Sequence, residues 1–411
     1  MSSPASSRLE PAGELPHGGG ASGRLSLFAF FLCGISMSFL GALLPAWRYH
    51  LEAGFVEVGN YFLDLAAGFV LSAAVGNTLL RGQGPKFVLI LANALACSGF
   101  MLLAAASLPS FAGWRLAGVL LIGVSAGLLS AGMFEIASPS HPQALGTTTN
   151  LAGVLFGCGC LLTALLVAGT YYVYTVPSIL ILLALVPGFS AGFYAKSQLP
   201  QRPVFRGFGF SQIWRDLKNP GAILFALLLF VQFGNEWSIA GWLPLFLMRR
   251  LGINPETSLL VLALYWAALL VGRLVSQWII PRVTTVALLA GSVLSALLGT
   301  IVLSSTDNRF GAVMGILFLG AGYAPIFPLV IQTIGHRFPE YRPGVFNGLF
   351  ALAVMGGLLA PWAVGLIAEQ WGIRAVMILP LLGTFTVFLL ILLILLEAKL
   401  SRLAAPKGSG F

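Results

Sequence analysis

The chain has 411 residues, 58% of them hydrophobic and 9% charged, with a formal net charge of +9. Soluble domains carry about 45–50% apolar and about 25% charged residues, so this composition excludes a water-soluble globule. The basic excess does not point to nucleic acid, because the lysines and arginines are scattered through short loops and no basic patch interleaves with aromatics.

Residues 1–24 are rich in Ser, Gly and Pro and lack the short apolar core of a cleaved signal peptide. They are expected to be a disordered cytoplasmic N-terminus. Twelve apolar blocks follow, at roughly 25–46, 55–80, 87–107, 113–138, 147–171, 175–196, 220–247, 257–280, 284–304, 309–334, 343–367 and 372–397, each about long enough to cross 30 Å of hydrocarbon. Backbone hydrogen bonds must be met internally in lipid, so each block reads as a helix. The predicted fold class is an all-α integral membrane protein with twelve transmembrane helices in two six-helix bundles. Residues 25–196 form the N-terminal bundle, 197–219 a cytoplasmic linker, 220–397 the C-terminal bundle and 398–411 a cytoplasmic tail.

The loop charges orient these helices. With the N-terminus inside, fifteen of the 22 lysines and arginines fall on the inner side, six on the outer side, and Arg273 in a span. That bias obeys the positive-inside rule and puts both termini in the cytoplasm. The expected location is a cell membrane, the bacterial inner membrane. Cysteines introduced at Ser197 and Ser211 should therefore resist impermeant thiol reagents in intact cells. Ready labelling from outside would overturn this topology.

The two halves share a faint repeat. Asn150-LAGVLFG-Cys158-Gly159-CLL in the fifth block aligns without gaps to Asn347-GLFALAV-Met355-Gly356-GLL in the eleventh. Paired six-helix repeats imply a transporter that rocks about a central site. The cysteines, Cys33, Cys97, Cys158 and Cys160, lie in apolar blocks with neither disulfide nor zinc spacing. Cys158-Gly-Cys160 is read as small residues at a helix contact rather than a redox pair. No histidine lies in a span, so no metal site and no cofactor are expected.

Charged groups inside a bilayer cost about 2.5–3.5 kcal/mol each on insertion scales, so they need a use or a partner. In FVQFGNEWSIAGWLPLFL, residues 230–247, Gln232, Asn235 and Glu236 are spaced i, i+3, i+4 and are expected to share one face. That face reads as a polar cavity wall, with Trp242 stacking on a sugar ring, the amides binding hydroxyls and Glu236 as a proton-coupling acid. The alternative is a structural hydrogen-bond cluster between the bundles. Asp64 lies about two turns into the second helix, as a proton-coupling acid, a gate contact or a structural acid. Arg273 is the one basic residue within a span. Tyr265, Asn150 and Asn347 are further candidates for the cavity wall, with packing as the alternative.

Three stretches resemble the major facilitator superfamily, over residues 25–397. GALLP (41–45) ends the first helix, as a Gly-x-Leu-x-Pro run often does in that family. Gly76-NTLLRGQ-Gly84-PK occupies the place of its Gly-x-x-x-Asp-Arg-x-Gly-Arg-Lys signature loop. Gly234-NEWSIAG-Trp242-LPLFL is similar to the seventh helix of the fucose permease-like sugar–proton symporters. The resemblance implies proton and substrate handling by Glu135 in the fourth helix, where the alternative is an interfacial acid. It implies gating by Gly76 and Gly84, and by Arg273 at the inner gate, with anion binding as the alternative for Arg273. Two departures stand out: Arg81 and Gly82 replace the Asp-Arg of the signature, and residues 25–46 hold no acid.

The resulting expectation is a secondary active transporter, taking up a neutral sugar or polyol with protons by alternating access. The proton gradient supplies the energy, since GxxxxGK[ST] is absent. Small-molecule substrate, protons and the lipid bilayer are the expected partners of a monomer. One alternative is a proton-coupled exporter of amphipathic compounds, against which the fifth helix lacks the Gly-Pro pair of such antiporters. Another is a non-transporting receptor. An enzyme is not expected, because no nucleophile–base pair or metal cluster lies in the spans.

Overall fold

The computed structural model describes residues 19–47, 54–106, 112–137, 145–197, 220–337 and 343–404. The twelve α-helices among the described residues follow from apolar runs bounded by Gly, Pro and loop charges. They are α1 (Gly19–Ala46), α2 (Phe55–Ala105), α3 (Ala112–Ala137), α4 (Leu145–Thr170), α5 (Val176–Lys196) and α6 (Pro220–Leu251). Then come α7 (Pro255–Ile279), α8 (Thr285–Ser305), α9 (Arg309–Tyr323), α10 (Ile326–Arg337), α11 (Pro343–Trp371) and α12 (Ile378–Ala404). Asn254, Thr284 and Asn308 cap α7, α8 and α9, each side-chain oxygen accepting a backbone N–H three residues on.

Helix number and span number coincide only by compensation. The second and third spans form one helical run, α2, bent at Gly84, whose φ of 80° is open to glycine and strained for other residues. The tenth span is split into α9 and α10 at Ala324–Pro325, because Pro325 has no N–H to continue the ladder. Eleven segments are long and apolar enough to cross a membrane, and Phe28–Leu43 of α1 is a shorter apolar helix among the described residues.

Two expectations at the ends are corrected. Residues 19–24, expected to be disordered, are the first turns of α1, and α12 continues through Ala404 into the expected tail. A helix started in lipid can extend into the interface, where water meets any unsatisfied backbone group. Of the expected linker only Ser197 is described; 198–219 lie outside the described residues.

In the first half α1 packs on α3 and α4, and α2 on α3 and α5. In the second, α6 packs on α11 and α12, α7 on α9, and α8 on α9 and α12. The halves meet chiefly along three helix pairs: α1 with α6, α2 with α11, and α4 with α7.

The repeat in the sequence now has a physical reason. A Cβ at Gly159 would sit 2.1 Å from the Phe31 carbonyl oxygen of α1, and one at Gly356 would sit 1.9 Å from the Phe230 oxygen of α6. The glycines that coincide in the alignment do the same work, letting the fifth span of each half lie backbone to backbone on its first. Cys160 belongs to the same contact, with its thiol donating to the Gly34 carbonyl at 3.5 Å. Cys158 and Cys160 are both free thiols.

Candidate functional site

The site is built where α6 and α7 of the second half face α4 of the first. Helix α6 carries Gln232 and Glu236 one turn apart. Gln232 Nε2 donates to Glu236 Oε1 at 2.9 Å, and the two are 0% and 6% exposed. Arg273 reaches in from α7, its Nη2 3.9 Å from Glu236 Oε2. Its Nη1 donates at 2.7 Å to the Gly153 carbonyl of α4, across the boundary between the halves. A Cβ at Gly153 would lie 3.0 Å from that nitrogen, so glycine here allows the close approach. Tyr265 of α7 donates from its hydroxyl to the Glu236 backbone oxygen at 3.2 Å. Gln232 Oε1 and Arg273 Nε are buried without a hydrogen-bond partner. The arrangement offers one free acceptor and one free donor beside a carboxylate–guanidinium pair of no net charge, the carboxylate buried and the guanidinium partly so.

Aromatic rings border this group. Trp237 is half-buried, with Phe156 of α4 edge-on at 5.9 Å between centroids and Trp266 of α7 at 5.8 Å. The indole rests on Gly357 of α11, where a Cβ would lie 2.5 Å from Cδ1. Sequence reasoning passed over Trp237 in favour of Trp242. Its signal was present, one residue beyond Glu236, but periodicity within α6 does not say which neighbour each side chain meets.

The other expected residues lie elsewhere. Asn235 does not join Gln232 and Glu236: it turns to α12, where a Cβ at Gly383 would fall 1.9 Å from its Oδ1. The i, i+3, i+4 spacing spans about 100° of helix, wide enough to meet two neighbours in a bundle. Trp242 is packed against its neighbours in this conformation. It is 0% exposed, lies 6.2 Å from both Phe55 and Phe62 of α2, and donates from Nε1 to the Pro361 carbonyl at 2.8 Å. Asp64 is half-buried on α2, its Oδ2 without a hydrogen-bond partner, and no ion pair joins it to Arg273 among the described residues. Gly76 makes ordinary contacts with Leu128 and Ala131, and Gly84 forms the bend already described. Glu135, Asn150 and Asn347 fall on α3, α4 and α11, but their side chains lie outside the described residues. Arg273 stands against Glu236 and Gly153, not at a loop. Among the described residues no group of His, Cys, Asp and Glu could hold a metal ion.

Trp242 belongs to a seal at the end of the bundle opposite the chain termini. Pro244 leaves the Ala240 carbonyl without its helical donor, and that oxygen faces Gly41 of α1, where a Cβ would lie 2.3 Å from it. Gly59 of α2 and Gly365 of α11 also face each other, a Cβ at Gly365 falling 2.8 Å from the Phe55 oxygen and 2.9 Å from the Gly59 Cα. Glu369 Oε2 of α11 accepts from the Phe55 and Val56 amides at 2.8 and 3.4 Å, capping α2 from the other half. The Arg249 guanidinium stands 5.3 Å over the Phe55 ring. At the opposite end the described polar ties stay within one half: Lys86 donates to the Ser197 carbonyl at 2.9 Å, and Arg337 pairs with Glu397.

The Major Facilitator Superfamily model matches residues 26–357. The chain belongs to that superfamily. An uncharacterised transporter of the superfamily from Yersinia pestis is 24% identical over 345 residues, covering 83% of this chain and 87% of its own. A glucose/mannose transporter of Bacillus subtilis is 24% identical over 286 residues, 66% of this chain and 69% of its own. Among solved structures, the superfamily transporter FucP in its outward conformation superposes with a TM-score of 0.63 at 15% identity, covering 92% of this chain and 99% of that one. Superfamily proteins are transporters and not enzymes, and this chain has their multi-pass, twelve-helix fold.

Proposed function

We propose that this superfamily chain is a secondary active transporter that takes up a neutral sugar or polyol with protons, the substrate binding between Gln232, Glu236, Arg273 and the Trp237 ring. The observation that carries the reading is the pairing of Glu236 with Arg273 beside the half-buried Trp237 and the buried Trp266. The pair neutralises itself, so the site favours an uncharged ligand. Gln232 Oε1 and Arg273 Nε are ready for hydroxyl groups, and an indole face suits the C–H side of a pyranose. The Bacillus subtilis relative is named as a glucose/mannose transporter, which agrees with this substrate class. With the termini in the cytoplasm, the sealed end faces outside, and the protein stands closed to the exterior.

The test is reconstitution in liposomes with an imposed acid-outside gradient and a panel of labelled neutral hexoses and polyols. At least one is expected to accumulate and to leak out when a protonophore is added. Counterflow of lipophilic cations or organic anions with none of the sugars would sink the reading. For the transported sugar, Gln232→Ala and Trp237→Ala should each weaken affinity roughly 5- to 150-fold, from about 1–3 kcal/mol per lost partner. Unchanged affinity in both would place the substrate elsewhere.

Glu135 enters through the family resemblance. Glu135→Gln should lose proton-driven accumulation while keeping sugar exchange, because an amide mimics only the protonated state. Accumulation against a gradient at the wild-type level would remove Glu135 from coupling.

A further inference from the structure

Gly356 and Gly357 are neighbours on α11, but different groups crowd them. A Cβ at Gly356 would meet the backbone of Phe230. A Cβ at Gly357 would meet one side chain: its three nearest atoms are Cδ1, Cγ and Nε1 of Trp237, at 2.5, 3.2 and 3.2 Å. Gly356 brings two helices together, whereas Gly357 leaves a slot for the pyrrole edge of an indole.

The first half supplies a comparison within the same chain. The repeat pairs Gly159 with Gly356, so Cys160 is the counterpart of Gly357. In the first span of each half, Phe31 and Phe230 offer the matching carbonyls, and Pro45 and Pro244 follow at the same spacing, which makes Ser38 the counterpart of Trp237. Ser38 stands beside the Cys160 thiol. The same two positions therefore meet in both halves, two small side chains in the first and a ring against bare backbone in the second. The helix contact itself does not demand glycine at this place; the indole does.

We propose that Gly357 is a specificity-determining residue, which sets how bulky a neutral sugar the site accepts through the depth at which the Trp237 indole lies. The proposal rests on the function proposed above and names what that site selects. Phe156 and Trp266 stand edge-on to the indole, at 5.9 and 5.8 Å between centroids, and α11 lies beneath it. Trp237 is still half-buried, and its uncovered side is the one the proposed function gives to the sugar. A methyl group at Gly357 must move the ring by about 1 Å to reach an ordinary carbon–carbon contact. In a close-packed surround the ring yields toward the ligand's space. A sugar with a projecting hydroxymethyl group then loses more than one without it.

The experiment measures kcat/KM in liposomes for two substrates on each preparation. One is the transported hexose or hexitol, and the other is its five-carbon analogue of the same configuration, which lacks only the terminal hydroxymethyl group. Their ratio does not depend on how much of the protein is folded. Gly357→Ala should lower the six- to five-carbon ratio roughly 10- to 200-fold, the range for one methylene of room in a pocket. Gly357→Ala/Trp237→Phe, in which a smaller ring meets the added methyl group, should restore most of the ratio. A purely structural glycine predicts lower stability with the ratio unchanged. That result overturns the proposal, and so does a ratio that the double variant fails to recover. Should Gly357→Ala transport nothing, Trp237→Phe alone decides. A smaller ring in the unaltered slot should raise the preference for the 6-O-methyl derivative over the parent several-fold against wild type, and an unchanged preference overturns the proposal. A wild-type chain that carries no neutral sugar or polyol sinks the proposed function and this proposal together, whereas transport with an unmoved ratio sinks this proposal alone.

Discussion

Gly356→Ala and Gly159→Ala should each cost this protein a large share of its stability, although alanine is the better helix former. A Cβ at either position would lie about as far from a backbone carbonyl oxygen as a covalent bond and a half, 1.9 Å from Phe230 and 2.1 Å from Phe31. Neither neighbour is a side chain that can rotate away, so two helices must separate along their length. Overpacking in a close-packed interior costs typically about 1–3 kcal/mol and sometimes more. Here the loss also weakens the contact between the first and fifth span of each half. Gly192→Ala in α5 and Gly291→Ala in α8 are the controls, since nothing lies within 4 Å of a Cβ there. They should be neutral or stabilising by up to about 1 kcal/mol. Melting temperatures of the purified variants decide the matter. If Gly159→Ala and Gly356→Ala melt with the controls, these contacts do not hold each half together.

How much of this was legible beforehand depends on what each signal encodes. Hydropathy and loop charge are properties of single segments, so the spans could be placed from the sequence, as could the two chain halves. Glycine and proline revealed backbone events: Gly84 bends α2, and Pro325 divides α9 from α10. The faint match around Gly159 and Gly356 pointed to equivalent places, though nothing in the sequence said that the shared glycine serves a carbonyl contact. The polar stretch in α6 was conspicuous for the desolvation cost of Glu236. Its neighbours were not readable, because periodicity relates residues on one helix and leaves open which partner helix each face meets. Asn235 therefore went to α12 instead of the Glu236 group. Arg273 was visible as the one basic residue in a span, but the Gly153 carbonyl that binds it lies 120 residues away on another helix. Trp242 was hidden for a further reason. Its surroundings depend on the conformation, and a sequence specifies all conformations of a cycle at once.

Trp242→Ala should move the protein from its closed state toward one open at the end opposite the termini, rather than simply weaken sugar binding. The indole is held to its own half by the bond to the Pro361 carbonyl, and that bond survives any rigid rocking of the two halves. Its contacts with Phe55 and Phe62 cross between the halves and exist only while the seal is shut. Aromatic pairs contribute about 0.5–1.5 kcal/mol each beyond their buried area. Losing two of them costs the closed state about 1–3 kcal/mol, which is roughly a 5- to 150-fold shift in the ratio of open to closed molecules. The open state never had these contacts, so it is not penalised. Glu369→Gln should act in the same direction and more weakly, because an amide still accepts from the Phe55 and Val56 N–H groups but carries no charge to favour the helix end. A cysteine at Phe62, buried in the seal, reports the state through its rate of reaction with an impermeant maleimide in intact cells. Because that substitution itself removes one ring, the rate in Trp242→Ala is compared with the rate in the Phe62→Cys chain alone. A several-fold rise in labelling, with sugar affinity measured from the cytoplasmic side unchanged, identifies the indole as part of the seal. Unchanged labelling together with lost affinity would instead make Trp242 a substrate platform reached in another conformation, and the closed end would have to be held by the glycine contacts and Glu369 without it.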